Sequence, residues 1–508
     1  MIDLAPAYLE IVRKILREIV PNAKVWAFGS RVTGTAKEFS DLDLAIDMGS
    51  PIPVATLCLL KDAFSESDLP IKVDIVDWQA ISEEFIEAVK ENRFDLYRFK
   101  LCDLCNSIDY GYTASSTSED TGIRFLRITD IVQEHVDWST VPYCCITPKD
   151  TEKYRLLNDD IVIARTGAST GACLHISNPP LAVFASYLVR LRINSTIADS
   201  RYIYYCLKSE GFNSFLQGVL GDKSAQPNAS AYTMTQFEFY LPPLETQKEI
   251  AHILGTLDDK IELNRRMNKT LEEIAHAIFK HWFIDFEFPN AEGNPYKSSG
   301  GEMIDSELGL LPKGWRVVKL GTKVDIIKGV SYSSYELSES TTAMVTLKSF
   351  NRGGGYKSDG LKAYTGKFKP EQVLKTGDLV IACTDVTQNA DVIGRPAIIR
   401  KSRDYETLVA SLDIIKLLPK SEDVPLSYLY FMTNSEVFNH HMFSHSTGTT
   451  VLHLAKEAIP SFQYAQPSFE IMNVFGRIAH AVLDLINTNE NENNILSDYR
   501  DNLLHMIF

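Results

Sequence analysis

Three aspartates near the start of the chain have the types and spacing for metal-assisted phosphoryl chemistry. Asp41 and Asp43 sit in Ser40-Asp41-Leu42-Asp43-Leu44-Ala45-Ile46-Asp47, and Asp74 follows in Lys72-Val73-Asp74-Ile75-Val76-Asp77-Trp78. On a strand alternate side chains share a face, so Asp41 and Asp43 are expected to point one way while Leu42 and Leu44 enter the core. Carboxylates held that close repel unless a cation lies between them, and two-metal phosphoryl transfer uses such a cluster, usually with a third member from a neighbouring strand. Asp74 is the natural third. Asp77 is its rival but falls on the opposite strand face. Upstream, Gly29-Ser30-Arg31 breaks a strand-like run, Lys24 to Phe28. A Gly-Ser turn opening a helix would offer backbone N–H groups and the positive helix end to a phosphate. Together these residues describe a nucleoside triphosphate site with Mg²⁺.

An amphipathic helix must back this site: Tyr8 to Val20 is apolar at Leu9, Val12, Ile15, Leu16 and Ile19 and stops at Pro21. The ordered set GSRVTGTA, SDLDLAID and KVDIVDW resembles the minimal nucleotidyltransferase domains of the polymerase-beta superfamily, including antitoxin-like modules. The resemblance implies an α/β domain over residues 1–98. Gly29, Ser30 and Arg31 would then bind the nucleotide, and Asp41, Asp43 and Asp74 would be catalytic and hold metal. Mg²⁺ and an NTP would be its cofactors, and transfer of a nucleotide such as AMP to a protein or RNA its activity. A degenerate domain kept for protein contacts is the alternative.

From about Phe99 onward the chain repeats itself. Asn158-Asp159-Asp160-Ile161-Val162-Ile163-Ala164 returns 218 residues later as Thr376-Gly377-Asp378-Leu379-Val380-Ile381-Ala382, and Tyr202-Ile203-Tyr204-Tyr205 returns 226 residues later as Tyr428-Leu429-Tyr430-Phe431. Each copy ends in a long helical segment. In the first, Thr246 and Glu249 form a candidate capping box after Pro242-Pro243. Ile250, Leu254, Leu257, Ile261, Asn264, Asn268, Leu271, Ala275, Ile278 and Trp282 then step by four and three, as a coiled-coil seam does. Adding 225 lands on a second seam from Phe475 to Ile507, with Asn489 and Asn493 in place of Asn264 and Asn268. Packed antiparallel, Asn264 would meet Asn493 and Asn268 would meet Asn489; a parallel pair would align the amides too. Two like heads on such helices suit a ligand that repeats in space, as duplex DNA does.

Further stretches carry a second resemblance: the run from Ala182 to Leu188, Leu241-Pro242-Pro243-Leu244-Glu245-Thr246-Gln247, Phe279-Lys280-His281-Trp282-Phe283, Leu311-Pro312-Lys313-Gly314-Trp315 and the ending Tyr499-Arg500-Asp501-Asn502-Leu503-Leu504. They resemble the specificity subunit of type I restriction-modification systems. That implies two target-recognition domains reading a bipartite duplex DNA, and helices docking methyltransferase subunits, with a restriction and translocase subunit joining later. The expected architecture is α+β and multidomain: residues 1–98 nucleotidyltransferase-like, 99–243 a first mixed α/β recognition domain, 244–288 a central helix, 289–311 a linker, 312–466 a second recognition domain and 467–508 a last helix, the two long helices forming an antiparallel coiled coil. Candidate DNA contacts are Arg165, Thr166, Lys223, Gln226 and Asn228 in the first head, and Lys348, Arg352, Lys357, Ser446, Thr449 and Thr450 in the second. Arg and Lys suit phosphate or guanine, and Asn and Gln suit adenine. A nucleotidyltransferase with a nucleic-acid- or protein-binding scaffold, or a scaffold alone, remains open.

Composition removes other classes. The 508 residues are 45% hydrophobic and 23% charged, which is ordinary for a folded multidomain protein. No apolar run reaches membrane-span length, and the start MIDLAPAYLEIVRKILREI builds no signal-peptide core, so a cytoplasmic location is expected without a membrane partner. The net charge of −15 writes no general DNA affinity into the chain, so a basic surface must be local or completed by a partner. Cys102 and Cys105 form a C-x-x-C without a second pair, and His440, His441 and His445 lack matching ligands; surface or DNA contacts are expected of these histidines rather than zinc. Asn178-Pro179-Pro180-Leu181 lacks the aromatic of an amino-methyltransferase motif and is read as a turn. Gly221-Asp222-Lys223-Ser224 fails P-loop spacing.

Overall fold

The computed structural model describes residues 2–21, 23–132, 134–220, 228–386, 390–448 and 451–508. It divides into two compact units, Met1–Asp259 with Leu496–Phe508, and Lys260–Ile495.

The first unit opens with α1 (Pro6–Ile19), whose Val12 and Leu16 are fully buried. Proline in its first turn costs no hydrogen bond there. Then come β1 (Lys24–Phe28), the one-turn α2 (Ser30–Thr33), β2 (Leu42–Asp47), α3 (Val54–Ser65), β3 (Val73–Asp77), α4 (Glu83–Glu91) and β4 (Phe94–Asp95). The strands form one sheet in the order β3-β2-β1-β4, with β2 parallel to β3 and antiparallel to β1. Leu42, Leu44 and Ile46 fill the core beneath β2, as the alternation requires. Asp41 lies one residue before the strand.

This small domain is continuous with the first of the two repeated heads. Residues Arg98–Lys100 pair with Glu238–Tyr240, and Arg13 leaves α1 to donate from Nε to the Leu96 carbonyl at 2.9 Å, its guanidinium 4.2 Å from the Phe99 ring. With the Glu10 carboxylate 2.9 Å from Nη1, this buried arginine is held by a carbonyl, an aromatic face and an ion pair rather than by solvent.

Both units contain the repeat as structure. In the first unit, strands at residues 105–110, 188–193, 161–164 and 173–175 are neighbours in that order, all antiparallel. In the second unit the order is 324–328, 414–419, 379–382 and 396–398, again antiparallel. A parallel pair accompanies each, 124–126 with 182–184 and 342–345 with 407–410. An antiparallel pair closes each head, the Arg98–Lys100 ladder above and Arg316–Lys319 with Gln463–Gln466. Gly111 and Gly329 are also equivalent: a Cβ on either would collide with the facing backbone carbonyl of Ala185 or Ser411. Asp160 and Asp378 close the same turn, accepting from Leu157 N and Lys375 N, and each meets a strand cation, Arg192 at 3.0 Å and Lys416 at 2.6 Å.

The long helices run over Leu244–Phe283 and Phe469–Ile507. The expected capping box lies inside the first of them. The helix starts at Leu244, where Pro243 O accepts from Gln247 N and the buried Gln247 side chain ties Pro242 O to Asp199 N. Within the second unit Asn264 Nδ2 donates to Asn493 Oδ1 at 2.9 Å and Asn489 Nδ2 to Asn268 Oδ1 at 2.8 Å. Those partners are the antiparallel ones. Within the first unit the seam accepts Arg500, because Asp258 lies 2.8 Å and Glu134 3.3 Å from its guanidinium.

The segment expected as a linker, 289–311, is built structure. Met303–Ser306 and Gly309–Pro312 form a hairpin, and Tyr296 stacks on Phe288, which stacks on Trp315. Aromatic burial fixes it in place. Among the described residues no helix is long and apolar enough to cross a membrane.

Candidate functional site

The parallel pairing of β2 with β3 puts Asp43 directly opposite Asp74. Gly29 stands over this pair with φ of +75°, and a Cβ there would collide with Asp43 Oδ2. Only glycine adopts that backbone at no steric cost while letting the carboxylate come so near. Burial raises the Asp43 pKa above the ordinary carboxylate value, and the charges of Asp74 and Asp41 add to it. Such repulsion is the mark of carboxylates gathered for a cation. Lys72, the residue immediately before β3, lies 2.6 Å from Asp74 Oδ1, and its own pKa is raised by that hydrogen bond and charge. Among the described residues no three His, Cys, Asp or Glu side chains converge as a ready metal cage. The donor set nonetheless fits a hard divalent cation, being all carboxylate oxygen with two members in register.

Ser30 opens α2, which Gly34 closes after one turn in the left-handed conformation. The Arg31 side chain, expected to bind a nucleotide, is instead spent on backbone carbonyls. The guanidinium is buried and donates to Ser40 O from Nε at 2.8 Å, to Asp3 O and to Glu38 O, pinning the loop that carries Asp41. Asp77 is committed elsewhere, accepting from Ile52 N and Gln79 N.

In the first head Arg165 and Asn228, 63 residues apart, come together: Nη2 donates to Asn228 Oδ1 at 3.0 Å, and Thr166 bridges to Asn228 through the backbone. Lys223 and Gln226 lie outside the described residues, as do Thr449 and Thr450 in the second domain. There Lys348 is exposed and Arg352 projects into solvent near Asp391, at 3.7 Å, beside Gly353, Gly354 and Gly355, all at positive φ. Lys357 is half-buried in the same loop. Ser446 spends its hydroxyl proton on the Phe443 carbonyl. His440 is exposed, while His441 and His445 are half-buried and stack on one another at 4.1 Å, and His441 packs on Phe462 and hydrogen-bonds the Ala458 carbonyl.

Sequence reasoning passed over Lys72, although its place two residues before Asp74 puts it on the same strand face. It also passed over Tyr110, whose ring underlies Arg165 at 4.9 Å; strand alternation alone names no such partner.

The nucleotidyltransferase domain family matches residues 9–100. Within it, 90 residues are 50% identical to the "Probable protein adenylyltransferase MntA" of Haemophilus influenzae, covering 18% of this chain and 79% of that protein. The type I restriction modification DNA specificity domain family matches residues 95–273. The chain joins these two families in one polypeptide. Its specificity region is similar to the type I restriction enzyme MjaVIII specificity subunit of Methanocaldococcus jannaschii, 25% identical over 366 residues, which are 71% of this chain and 80% of that one. Among solved structures, the S subunit of a type I restriction-modification system from M. genitalium aligns over 81% of this chain and 95% of its own length, at 13% identity and a TM-score of 0.46.

Proposed function

We propose that the chain is the DNA-specificity subunit of a type I restriction-modification system, acting in the cytoplasm and carrying a nucleotide-transferring domain at its N-terminus. Its two recognition domains bind the halves of a bipartite duplex target. Its long helices dock methyltransferase subunits, and a restriction and translocase subunit completes the assembly. The observation that carries this reading is the duplicated head, whose four-stranded antiparallel sheet has the same strand order in both units. A repeated reader suits a split target, and the acidic chain leaves part of the DNA clamp to its partners. Base-resolved mapping of methylated positions in host DNA tests it: a split motif is expected, lost when the gene is deleted. Deletion with no change in methylation refutes it.

In the N-terminal domain Asp41, Asp43 and Asp74 would hold Mg²⁺, with Gly29 giving the triphosphate room and Ser30 lining the turn. The metal supplies charge neutralisation of the phosphates. The acceptor hydroxyl oxygen bonds to the α-phosphorus as its bond to the β-phosphate oxygen breaks; pyrophosphate leaves and the hydroxyl proton passes to solvent. Lys72 holds Asp74 until a cation takes its place. Incubation of the full assembly with α-³²P ATP and Mg²⁺ is expected to label a protein or RNA component with wild type and not with Asp43→Asn. Equal absence of label from both supports a second reading, a docking module, which the Lys72–Asp74 pair favours.

A further inference from the structure

Arg165 differs in what holds it from four arginines of its unit that are tied to carboxylates. Arg190, Arg192, Arg201 and Arg500 each meet a carboxylate, on Asp109, Asp160, Asp259 and Asp258. Arg165 is held by neutral groups, the Asn228 amide oxygen at 3.0 Å and the Tyr110 ring at 4.9 Å. Its Nε is buried without a partner, and among the described residues Nη1 and the second hydrogen of Nη2 meet no acceptor, which leaves them as an uncommitted fork.

The clamp is assembled from four distant segments. Arg165 N donates to Tyr187 O at 3.0 Å, Ala229 N to Arg165 O at 2.9 Å, and Ala231 N to the Tyr110 hydroxyl at 2.9 Å. Tyr110, Tyr187 and Tyr232 are 44%, 60% and 74% exposed. A guanidinium fixed on a part-exposed aromatic ring, in a chain of net charge −15, is a surface organised for an external acceptor.

We infer that Arg165 is a base-reading residue of the first recognition domain and that the base it reads is guanine. The inference rests on the DNA-specificity reading above. Guanine offers O6 and N7 side by side in the major groove, matching two N–H groups of one guanidinium. A phosphate is satisfied by a mobile cation, whereas this fork is oriented on both sides before any ligand arrives, as discrimination between bases requires. The repeat points the same way. At the position 218 residues on stands Cys383, and Lys328 replaces Tyr110. Scaffold positions such as Gly111 and Gly329 are retained while this clamp is confined to one head, so it belongs to what distinguishes the two half-sites.

The test is selection from a randomised duplex library by the full chain, purified with the methyltransferase subunits that accompany it, at one fixed salt concentration. Wild type is expected to enrich a split motif with a G·C pair at one position of one half. Arg165→Lys, which keeps the charge, should lose roughly 5- to 150-fold preference at that position and leave the other half unchanged. Asn228→Ala should weaken the same position by less. Retention of the preference in Arg165→Lys, or a uniform loss at all positions in Arg165→Ala with the salt slope reduced by about one, would overturn the inference in favour of a bystander or a phosphate contact. Failure of wild type to enrich any split motif would instead overturn the DNA-specificity reading itself. The undisturbed half-site is the internal control for folding.

Discussion

Replacing Asn264 by leucine should open the middle of the paired helices, and replacing Asn493 as well should close it again. Asn264 has no solvent exposure. Its Oδ1 accepts from Lys260 Nζ at 3.1 Å, and its Nδ2 serves Glu492 Oε2 at 2.7 Å and Asn493 Oδ1 at 2.9 Å. Lys260 and Glu492 are each about two-fifths exposed and can turn to water, whereas Asn493 is buried. The single variant therefore strands one buried amide, a cost of about 1 to 3 kcal/mol. Hydrogen exchange of peptides spanning 260–275 and 485–496 should accelerate by roughly 5- to 150-fold, since local protection reports local opening. With both positions leucine no polar group is orphaned and the seam is apolar, so protection should return to within a few-fold of wild type. Unchanged protection in the single variant, or a double variant no better protected than it, would refute matched amides as the register device. The perturbation also separates directions, because a parallel seam would couple Asn264 to Asn489 and leave Asn264→Leu/Asn493→Leu doubly impaired.

Lys416→Met should lower the thermal stability of the second unit by about 3 kcal/mol, because Asp378 would keep a largely buried carboxylate without its cation 2.6 Å away; a melting midpoint equal to wild type would contradict this. Gly111→Ala and Gly329→Ala should each cost roughly 2 kcal/mol in their own unit, read as earlier limited proteolysis of that unit alone, because both add a Cβ against a backbone carbonyl. Burial lowers the His276 pKa below its ordinary 6.5, opposed by the nearby charge of Glu272. The unfolded chain then takes up the proton first, so stability is complete above about pH 6.5 and falls as the pH drops below it. Thermal midpoints between pH 7.5 and 5 should show this slope, and His276→Gln should flatten it.

Periodicity explains what could be read from the sequence. The 4-3 spacing announced both long helices, and the shared offset of their asparagines announced that they pair, but amides near the centre of each seam align in either direction, so only the Asn264–Asn493 bond decides between them. Strand alternation likewise gave the buried faces of β2 and the placement of Asp43. It could not give Arg31, because a cation beside a glycine turn suits a phosphate as well as it suits three backbone carbonyls. The choice lies in where the loop 37–40 folds back. The hairpin and stacked rings of 286–315 escaped notice for a similar reason: Phe288, Tyr296 and Trp315 share no period, and their contact exists only in three dimensions.

The repeat separates two kinds of constraint. Positions where backbone geometry leaves no choice are held in both copies: the glycines over Ala185 and Ser411, and the turn aspartates 160 and 378 with a strand cation against each. The cation itself shifts from Arg192 to Lys416 across alternate positions of the last strand, so charge at the turn is kept while the side chain that supplies it is not. At the far end of the strand that follows the turn, 161–164 in one copy and 379–382 in the other, Arg165 has become Cys383, a half-buried thiol whose pKa burial raises to about 12 and which offers no charge to a ligand. A duplication under one demand would keep or lose both features together. Retention of the turn with loss of the fork is what two readers on one scaffold require, because the scaffold must fold twice while each face answers to a different sequence.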